Sequence, residues 1–341
     1  MKKTIVALAV AAVAATSANA ATVYNQDGTK VDVNGSVRLL LTKAKDMRGD
    51  LVDNGSRISF RANHDLGEGL SALAYAELRF SKDEKNAAGE VIKQPIGNSV
   101  HLKRLYAGFK YESVGTLTFG NQLTIGDDVG VSDYTYKLGG INNLLSSGEK
   151  AINFKSADFN GFTFGGAYVL SGDANKDATR KDRGFVVAGF YERAMGDVGF
   201  KLHAGYSQKY VQVDVQTQPP AKKDEKEKAF MVGTELSYAA LAVGLDYAQS
   251  KVTNVEGKKR ALELGMNYDI NEKAKVYTDL IWAKDGTSND YVKTRAVILG
   301  AGYKLHKQVE TFVEGGWERK KDEAGVTTKD NVVGVGLRVH F

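Results

Sequence analysis

Charged residues recur at alternating positions in this chain. Arg57, Ser59, Arg61 and Asn63 lie two residues apart, so in an extended backbone their side chains share one face. Arg57 and Arg61 would then stand about 13 Å apart at ~3.3 Å per residue. Arg38 belongs to the alternating row Asp32, Asn34, Ser36, Arg38, Leu40 and Thr42. Glu77 and Arg79 belong to the row Ser71, Leu73, Tyr75, Glu77 and Arg79. An acidic set, Asp127, Asp128 and Asp133, sits in one connector, residues 121–150, with Glu149 near its end. Fixed rows of opposite charge attract and orient ions and dipoles without breaking bonds. Bond-making chemistry has little to work with. There is no cysteine, which excludes disulfides, Cys-ligated metals and thiol nucleophiles. The histidines, His64, His101, His203, His306 and His340, form no i, i+2 or i, i+4 pair for a metal or a general base. No Ser/His or Asp/His cluster is brought together by alternation, so neither an enzyme nor a cofactor is expected.

The elements that must position these charges are strands. Val333, Val335, Leu337, Val339 and Phe341 fall on one face and Gly334, Gly336, Arg338 and His340 on the other. The pattern recurs at 31–41, 70–80, 198–206, 241–247 and 262–268. Short turns at 65–69, 112–115, 157–161, 195–197, 239–240, 271–273 and 305–307 alternate with longer polar connectors at 43–55, 81–100, 121–150, 171–183, 209–228, 251–259, 284–293 and 320–330. Together they join sixteen segments with no interdomain linker. The charge run at 222–228, after Pro219-Pro220, reads as an exposed loop tip. Gly233, Gly244 and Gly265 sit singly in strands, where close approach of another backbone is a sufficient reason.

The N-terminus sets the compartment. Lys2 and Lys3 precede an apolar run from Ile5 to Ala15, and Ala18-Asn19-Ala20 is a small-x-small cleavage site. Residues 1–20 therefore read as a secretory signal peptide cut after Ala20, leaving 21–341 as one domain. Without the leader, 44 basic face 41 acidic side chains, too even a balance for a nucleic-acid binder.

Mean hydropathy is −0.31 and no apolar run reaches the roughly 20 residues of a membrane helix. Alternation fits either a water-soluble sandwich or a barrel with its apolar face in lipid. Segments of about ten residues match a tilted bilayer crossing better than the soluble mode of about five or six. Short-long connector alternation suits periplasmic turns and outer loops. Aromatics at segment ends (Tyr111, Tyr191, Tyr206, Tyr238, Tyr268, Tyr303) suit interfacial girdles. These features predict an all-β antiparallel transmembrane barrel. Residues 121–150 exceed the usual ~12–15 residues of a structureless loop. With Leu123, Ile125, Val129, Val131, Tyr134, Tyr136, Ile141 and Leu144 it is too apolar for disorder. Such a loop needs a surface, and the barrel interior offers one.

Particular stretches carry a resemblance. ATVYNQDGTKVDVNG at 21–35, SRISFR at 56–61 followed by DLGEGL at 65–70, RLYAGFKY at 104–111 and DFNGF at 158–162 resemble Gram-negative general porins, most of all the major porin of Haemophilus-type bacteria. The resemblance implies a 16-stranded barrel, a homotrimer in outer-membrane lipid and lipopolysaccharide, and passive diffusion of small hydrophilic solutes. It also implies that the third long loop, 121–150, folds inward to narrow the pore. Asp127 and Asp128 would then form its acidic side, with Asp133 close behind. Arg57 and Arg61 match basic lumen positions of the family, with Arg38, Arg79 and the acid Glu77 on the same faces by alternation. Of the adjacent pair Lys103 and Arg104, the family's pattern favours Lys103 and apolar alternation favours Arg104; both stay open. Phe341 resembles the terminal aromatic read by the barrel-assembly machinery. A channel selective for anions or nucleotides is the alternative, followed by a barrel enzyme or adhesin.

Overall fold

An extended chain with one apolar and one polar face, and few prolines to interrupt it, finds its backbone partners in other strands. The structure, a computed structural model, describes residues 20–81, 84–85, 91–92, 96–170, 182–215, 221–287 and 289–341. The leader lies outside these residues except for Ala20, as do half of the connector 81–100 and most of 171–183. The strands are β1 (Ala21–Gln26), β2 (Thr29–Ala44), β3 (Asp50–Asp53), β4 (Arg57–Gly67), β5 (Leu70–Arg79), β6 (Glu84–Lys85), β7 (Val91–Ile92), β8 (His101–Tyr111), β9 (Gly115–Leu123) and β10 (Ser147–Ser156). They continue as β11 (Phe162–Val169), β12 (Gly184–Met195), β13 (Val198–Val215), β14 (Ala221–Tyr238), β15 (Leu241–Val252), β16 (Lys258–Asp269), β17 (Ala274–Gly286), β18 (Tyr291–His306), β19 (Val309–Asp322) and β20 (Thr327–His340). Apart from the small β6–β7 ladder, each strand pairs antiparallel with its neighbours, and β20 pairs back with β2 to close the ring.

Two strand positions are composite. β3 and β4 both pair with β2 and are joined by a turn in which the Gly55 and Ser56 amides donate to Asp53 Oδ1 at 2.8 and 3.0 Å. β1 continues the line of β20: β2 meets β20 at Ser36↔His340 and β1 at Val33↔Ala21. The 18 sheet segments thus fill 16 positions, and the expected 16-stranded antiparallel barrel is the observed fold. Closure leaves no open edge, which a membrane-spanning sheet requires. At the seam, Gly35 and Phe341 exchange backbone hydrogen bonds of 2.8 and 2.9 Å. The Phe341 ring lies directly on Gly35, where a Cβ would come within 2.2 Å of it.

The distribution of side chains is inverted relative to a soluble protein. Leu105, Phe109, Leu117, Phe119, Leu202, Val297, Leu299, Val313, Val333, Val335 and Leu337 are exposed on the outside. Glu77, Glu235, Asp246, Glu263, Asp279 and Glu314 are buried on the inside, Glu263 and Asp279 with 0% exposure. Apolar area of this extent facing water would drive association, whereas facing lipid it meets its preferred solvent. No helix among the described residues is long and apolar enough to cross a membrane; the strands cross instead.

Two expectations need correction. The connector 209–228 is mostly ladder: Lys209↔Glu227, Val211↔Glu225 and Val213↔Lys223 extend the β13–β14 hairpin. The charge run read as a loop tip therefore lies in β14. Alternating Val211 and Val213 favour extended backbone, and Lys209 Nζ reaches Glu227 Oε2 across the strands at 3.4 Å. The strand β1 was not anticipated; its tight turn uses Asp27 and Gly28 at φ 51° and 73°, the left-handed conformations that Asp-Gly supplies in hairpins.

Candidate functional site

The inner surface acquires a waist because the chain after β9 turns inward. Thr124 begins the turn: its hydroxyl accepts from the Gly126 amide at 3.2 Å and donates to the Leu145 carbonyl. A 3-10 turn, Ile125–Asp128, follows. Ile125, Val129, Ile141, Leu144 and Leu145 then pack against Ala167, Val186, Ala188, Phe190, Met231 and Ala248 of the wall. This is the apolar core found among the described residues, and it joins loop to barrel. Burying each such aliphatic chain contributes roughly 1.5–3 kcal/mol.

Irregular backbone inside a barrel must find acceptors for its amides. Wall acids supply them. Asp246 Oδ2 accepts from the amides of Val131 and Ser132 at 2.9 and 2.8 Å and from Ser132 Oγ at 2.7 Å. Glu263 Oε1 accepts from Gly140 N at 2.9 Å, and Glu314 Oε1 from Tyr136 N. Glu235 Oε2 accepts from the Tyr134 hydroxyl at 2.7 Å. The strand glycines explain how the loop comes so close. A Cβ on Gly265 would lie 1.7 Å from the Ser132 carbonyl oxygen, and one on Gly244 would lie 2.7 Å from Ser132 Cα.

Across the lumen stands the basic row. The ladder sets Ser36 beside Arg57, Arg57 beside Arg79, and Arg38 beside Arg338. Arg38 Nε donates to Ser36 Oγ at 2.9 Å and Arg57 Nε to the Gly55 carbonyl at 3.0 Å. Glu77 binds the row together, with Arg79 Nε at 2.6 Å and Arg57 NH1 at 3.7 Å. Tyr75 donates to the same carboxylate at 3.1 Å. Arg61, nearer the β4–β5 turn, sits over the Tyr75 ring at 5.7 Å, and Tyr75 stacks on Tyr106 at 5.0 Å. Arg104 pairs with Glu77 and shares its inward face, while Leu102 pairs with Leu78. Lys103 is the additional residue of the bulge between those pairs and is exposed. The inward residue is thus Arg104, as apolar alternation favours, and not Lys103, as the family's pattern favours.

The loop acids divide. Asp127 and Asp128 occupy the 3-10 turn, with Asp128 Oδ2 3.0 Å from Lys155 Nζ. Asp133 lies further along, beside Glu263 and Asp279 on the wall opposite the arginine row. Surrounding protein and the neighbouring charge of Asp128 push the Asp127 carboxyl up, against an opposing pull from Arg104. Asp127 therefore takes up a proton at a higher pH than an ordinary carboxylate. Lowering the pH from neutrality should shift reversal potentials in a salt gradient toward anions, starting before ordinary carboxylates titrate. Asp127→Asn should remove that early part of the shift; an unaltered profile in the variant would exclude Asp127 as its source.

Several residues of the site escaped sequence reasoning. Arg338 was visible on the polar face of the last strand, but only ring closure sets it beside Arg38. Its NH2 group donates to the Tyr136 carbonyl at 2.9 Å, and its guanidinium lies over the Tyr136 ring at 4.5 Å. Asp246, Glu263 and Glu314 carry no sign of their role within their own strands; their loop partners lie more than 100 residues away.

Comparisons with known proteins agree with this architecture. The family profile described as "Gram-negative porin" matches residues 7–323. The major outer membrane protein of Pasteurella multocida strain Pm70 is 79% identical, with all of both chains covered. Among solved structures, OmpT of Vibrio cholerae superposes with a TM-score of 0.73 at 18% identity, covering 94% of this chain and 100% of that one. Salmonella typhi OmpF, solved with daunomycin, gives 0.67 at 18% identity over 94% of this chain and all of its own. The two structural likenesses carry the fold; the sequence matches carry the family. A closed, lipid-facing barrel with a charged lumen and an inward loop is what a passive diffusion channel requires, and this chain belongs to the Gram-negative porins of the outer membrane.

Proposed function

We propose that the waist between the 121–150 loop and the arginine row is the selectivity-determining constriction. Arg38, Arg57, Arg61, Arg79 and Arg104 form its basic side, with Glu77 tempering them, and Asp127 and Asp128 form its acidic side. The observation that carries this reading is the loop's attachment: wall acids hold it by its backbone amides while Asp127 stays within electrostatic reach of Arg104. Opposed charges across a narrow passage with low-dielectric walls create a transverse field that orders water and orients dipoles. Small hydrophilic solutes and ions pass, and apolar solutes must disrupt that order.

In this proposal the chain is a major porin of the Haemophilus type, is exported by residues 1–20, matures at Ala21, and assembles as a homotrimer, with Phe341 as its assembly signal. A trimeric form of the related Vibrio cholerae OmpT fold supports the oligomer. Purified protein in planar bilayers should insert as ohmic steps in groups of three. Failure to conduct would refute the channel, and isolated single steps would refute the trimer. One observation favours an anion- or nucleotide-preferring variant of the same reading. The stacked Tyr75–Tyr106 pair with Arg61 above it offers both ring faces and charge to an aromatic anion. A nucleoside monophosphate should then interrupt the current at millimolar concentration more than inorganic phosphate does.

A further inference from the structure

We propose that Asp133, Glu263 and Asp279 form a binding site for a divalent, oxygen-preferring cation that fastens the constriction loop to the barrel wall. The three residues come from different elements: Asp133 from the loop, Glu263 from β16 and Asp279 from β17. Each can offer a carboxylate oxygen, and the three oxygens lie within 4.8 Å of one another. That separation suits ligands on one ion with Ca–O distances of about 2.3–2.6 Å.

The second observation is the state of Asp279. It has 0% exposure, and neither of its oxygens has a donor at full hydrogen-bond geometry; its polar neighbours are the Asp133 carboxyl and the Tyr134 backbone, both of the loop. A buried carboxylate without a donor is among the costliest groups a protein carries, and metal coordination is one of the few ways to satisfy it. None of the three acids forms an ion pair with Lys, Arg or His among the described residues. Their existing hydrogen bonds orient them while leaving capacity. Asp133 Oδ1 accepts from the amide and hydroxyl of Thr135 at 2.9 and 2.8 Å. Glu263 accepts from the Gly140 amide at 2.9 Å and from Ser132 Oγ at 3.2 Å. Both donors belong to the loop, so an ion here would be held by residues on either side of the same junction.

The site is reachable. Asp133 is exposed to the lumen, while Glu263 and Asp279 are closed off behind it. An all-carboxylate, oxygen-only donor set selects calcium or magnesium over softer metals, and three carboxylates without an imposed octahedron favour calcium. The ion would screen mutual repulsion among three acids and cross-link the loop to two strands.

The test uses the full-length mature chain refolded in detergent without lipopolysaccharide, since that lipid binds calcium itself. After chelation, calcium chloride is titrated by calorimetry and the loop's hydrogen exchange is followed. The expected result is one site per chain with submillimolar to millimolar affinity, and slower exchange of the amides of residues 131–140 on binding. Asp279→Asn should weaken calcium at least tenfold. Asp133→Asn, at an exposed loop position that does not threaten folding, should do the same. Absence of a calcium site in the wild-type chain would overturn the proposal, as would binding that both variants leave unchanged. Calcium binding without any change in exchange over 131–140 would overturn its role as a fastener.

Discussion

Gly265→Val should open the pore while leaving the barrel intact. The Gly265 Cβ position is occupied by the Ser132 carbonyl oxygen at 1.7 Å, and backbone on both sides prevents accommodation by a rotamer change. A valine is a good strand residue, so the ladder Gly265↔Asp279 and Gly244↔Gly265 has no reason to break. What must yield is the loop. Displacing it separates Val131 and Ser132 from Asp246, and two hydrogen bonds to a charged group contribute about 3–6 kcal/mol together. Single-channel conductance should rise and fluctuate more, with the folded barrel retaining its resistance to detergent unfolding. Gly189→Ala is the control, because its nearest neighbour to an added Cβ is the Phe162 ring at 3.8 Å. Equal conductance for Gly265→Val and wild type would mean that the loop does not narrow the passage.

Replacing Arg57 and Arg61 by serine should move selectivity toward cations. A unit charge acting on an ion about 7 Å away contributes roughly 0.6 kcal/mol at the dielectric of water and about 2.4 kcal/mol at an effective value of 20. At 1.4 kcal/mol per tenfold, loss of one such charge alters the local concentration of each ion roughly threefold to fiftyfold, in opposite directions for cations and anions. Salt reduces this, since the screening length is about 10 Å at 0.1 M, so the lower end applies at that strength. The two positions are not equivalent. Arg57 is half-buried and shares Glu77 with Arg79, so its removal leaves Glu77 with one partner fewer. Arg61 is exposed, and its loss removes a positive charge together with its contact to Tyr75. Arg57→Ser should therefore shift the reversal potential through both lost positive and freed negative charge, and Arg61→Ser by less. A double variant with unchanged reversal potential would remove both residues from the constriction.

The strands were legible because alternation is a local property. Val333 to Phe341 reads as one half-apolar strand without knowledge of its neighbours, and the inward row Arg57, Ser59, Arg61 follows from the same period. Features that depend on a partner were not legible. The Lys103 bulge shows only in the pairing with β5, where Glu77 meets Arg104 and the next residue, Leu78, meets Leu102. The β13–β14 extension looked like a polar loop because its cross-strand charge pairs become visible only when Lys209 faces Glu227. The single glycines of β15 and β16 pointed to a close backbone approach, and the approaching segment is the loop around Ser132. The acids Asp246, Glu263 and Glu314 carried no signal of their role. A carboxylate that accepts from a loop amide 114 or more residues away looks, in one strand, like any other lumen residue.

The chain's lack of cysteine allows a direct measurement at the constriction. Arg61→Cys presents one thiol at an exposed lumen position, and a negatively charged thiol reagent can be added while single channels are recorded. If the arginine row lines the narrow passage, the current should fall in discrete steps and the reversal potential should move toward cations, while wild-type channels show no response. Complete modification, established by mass, with current and reversal potential unchanged would contradict a charged constriction at this row.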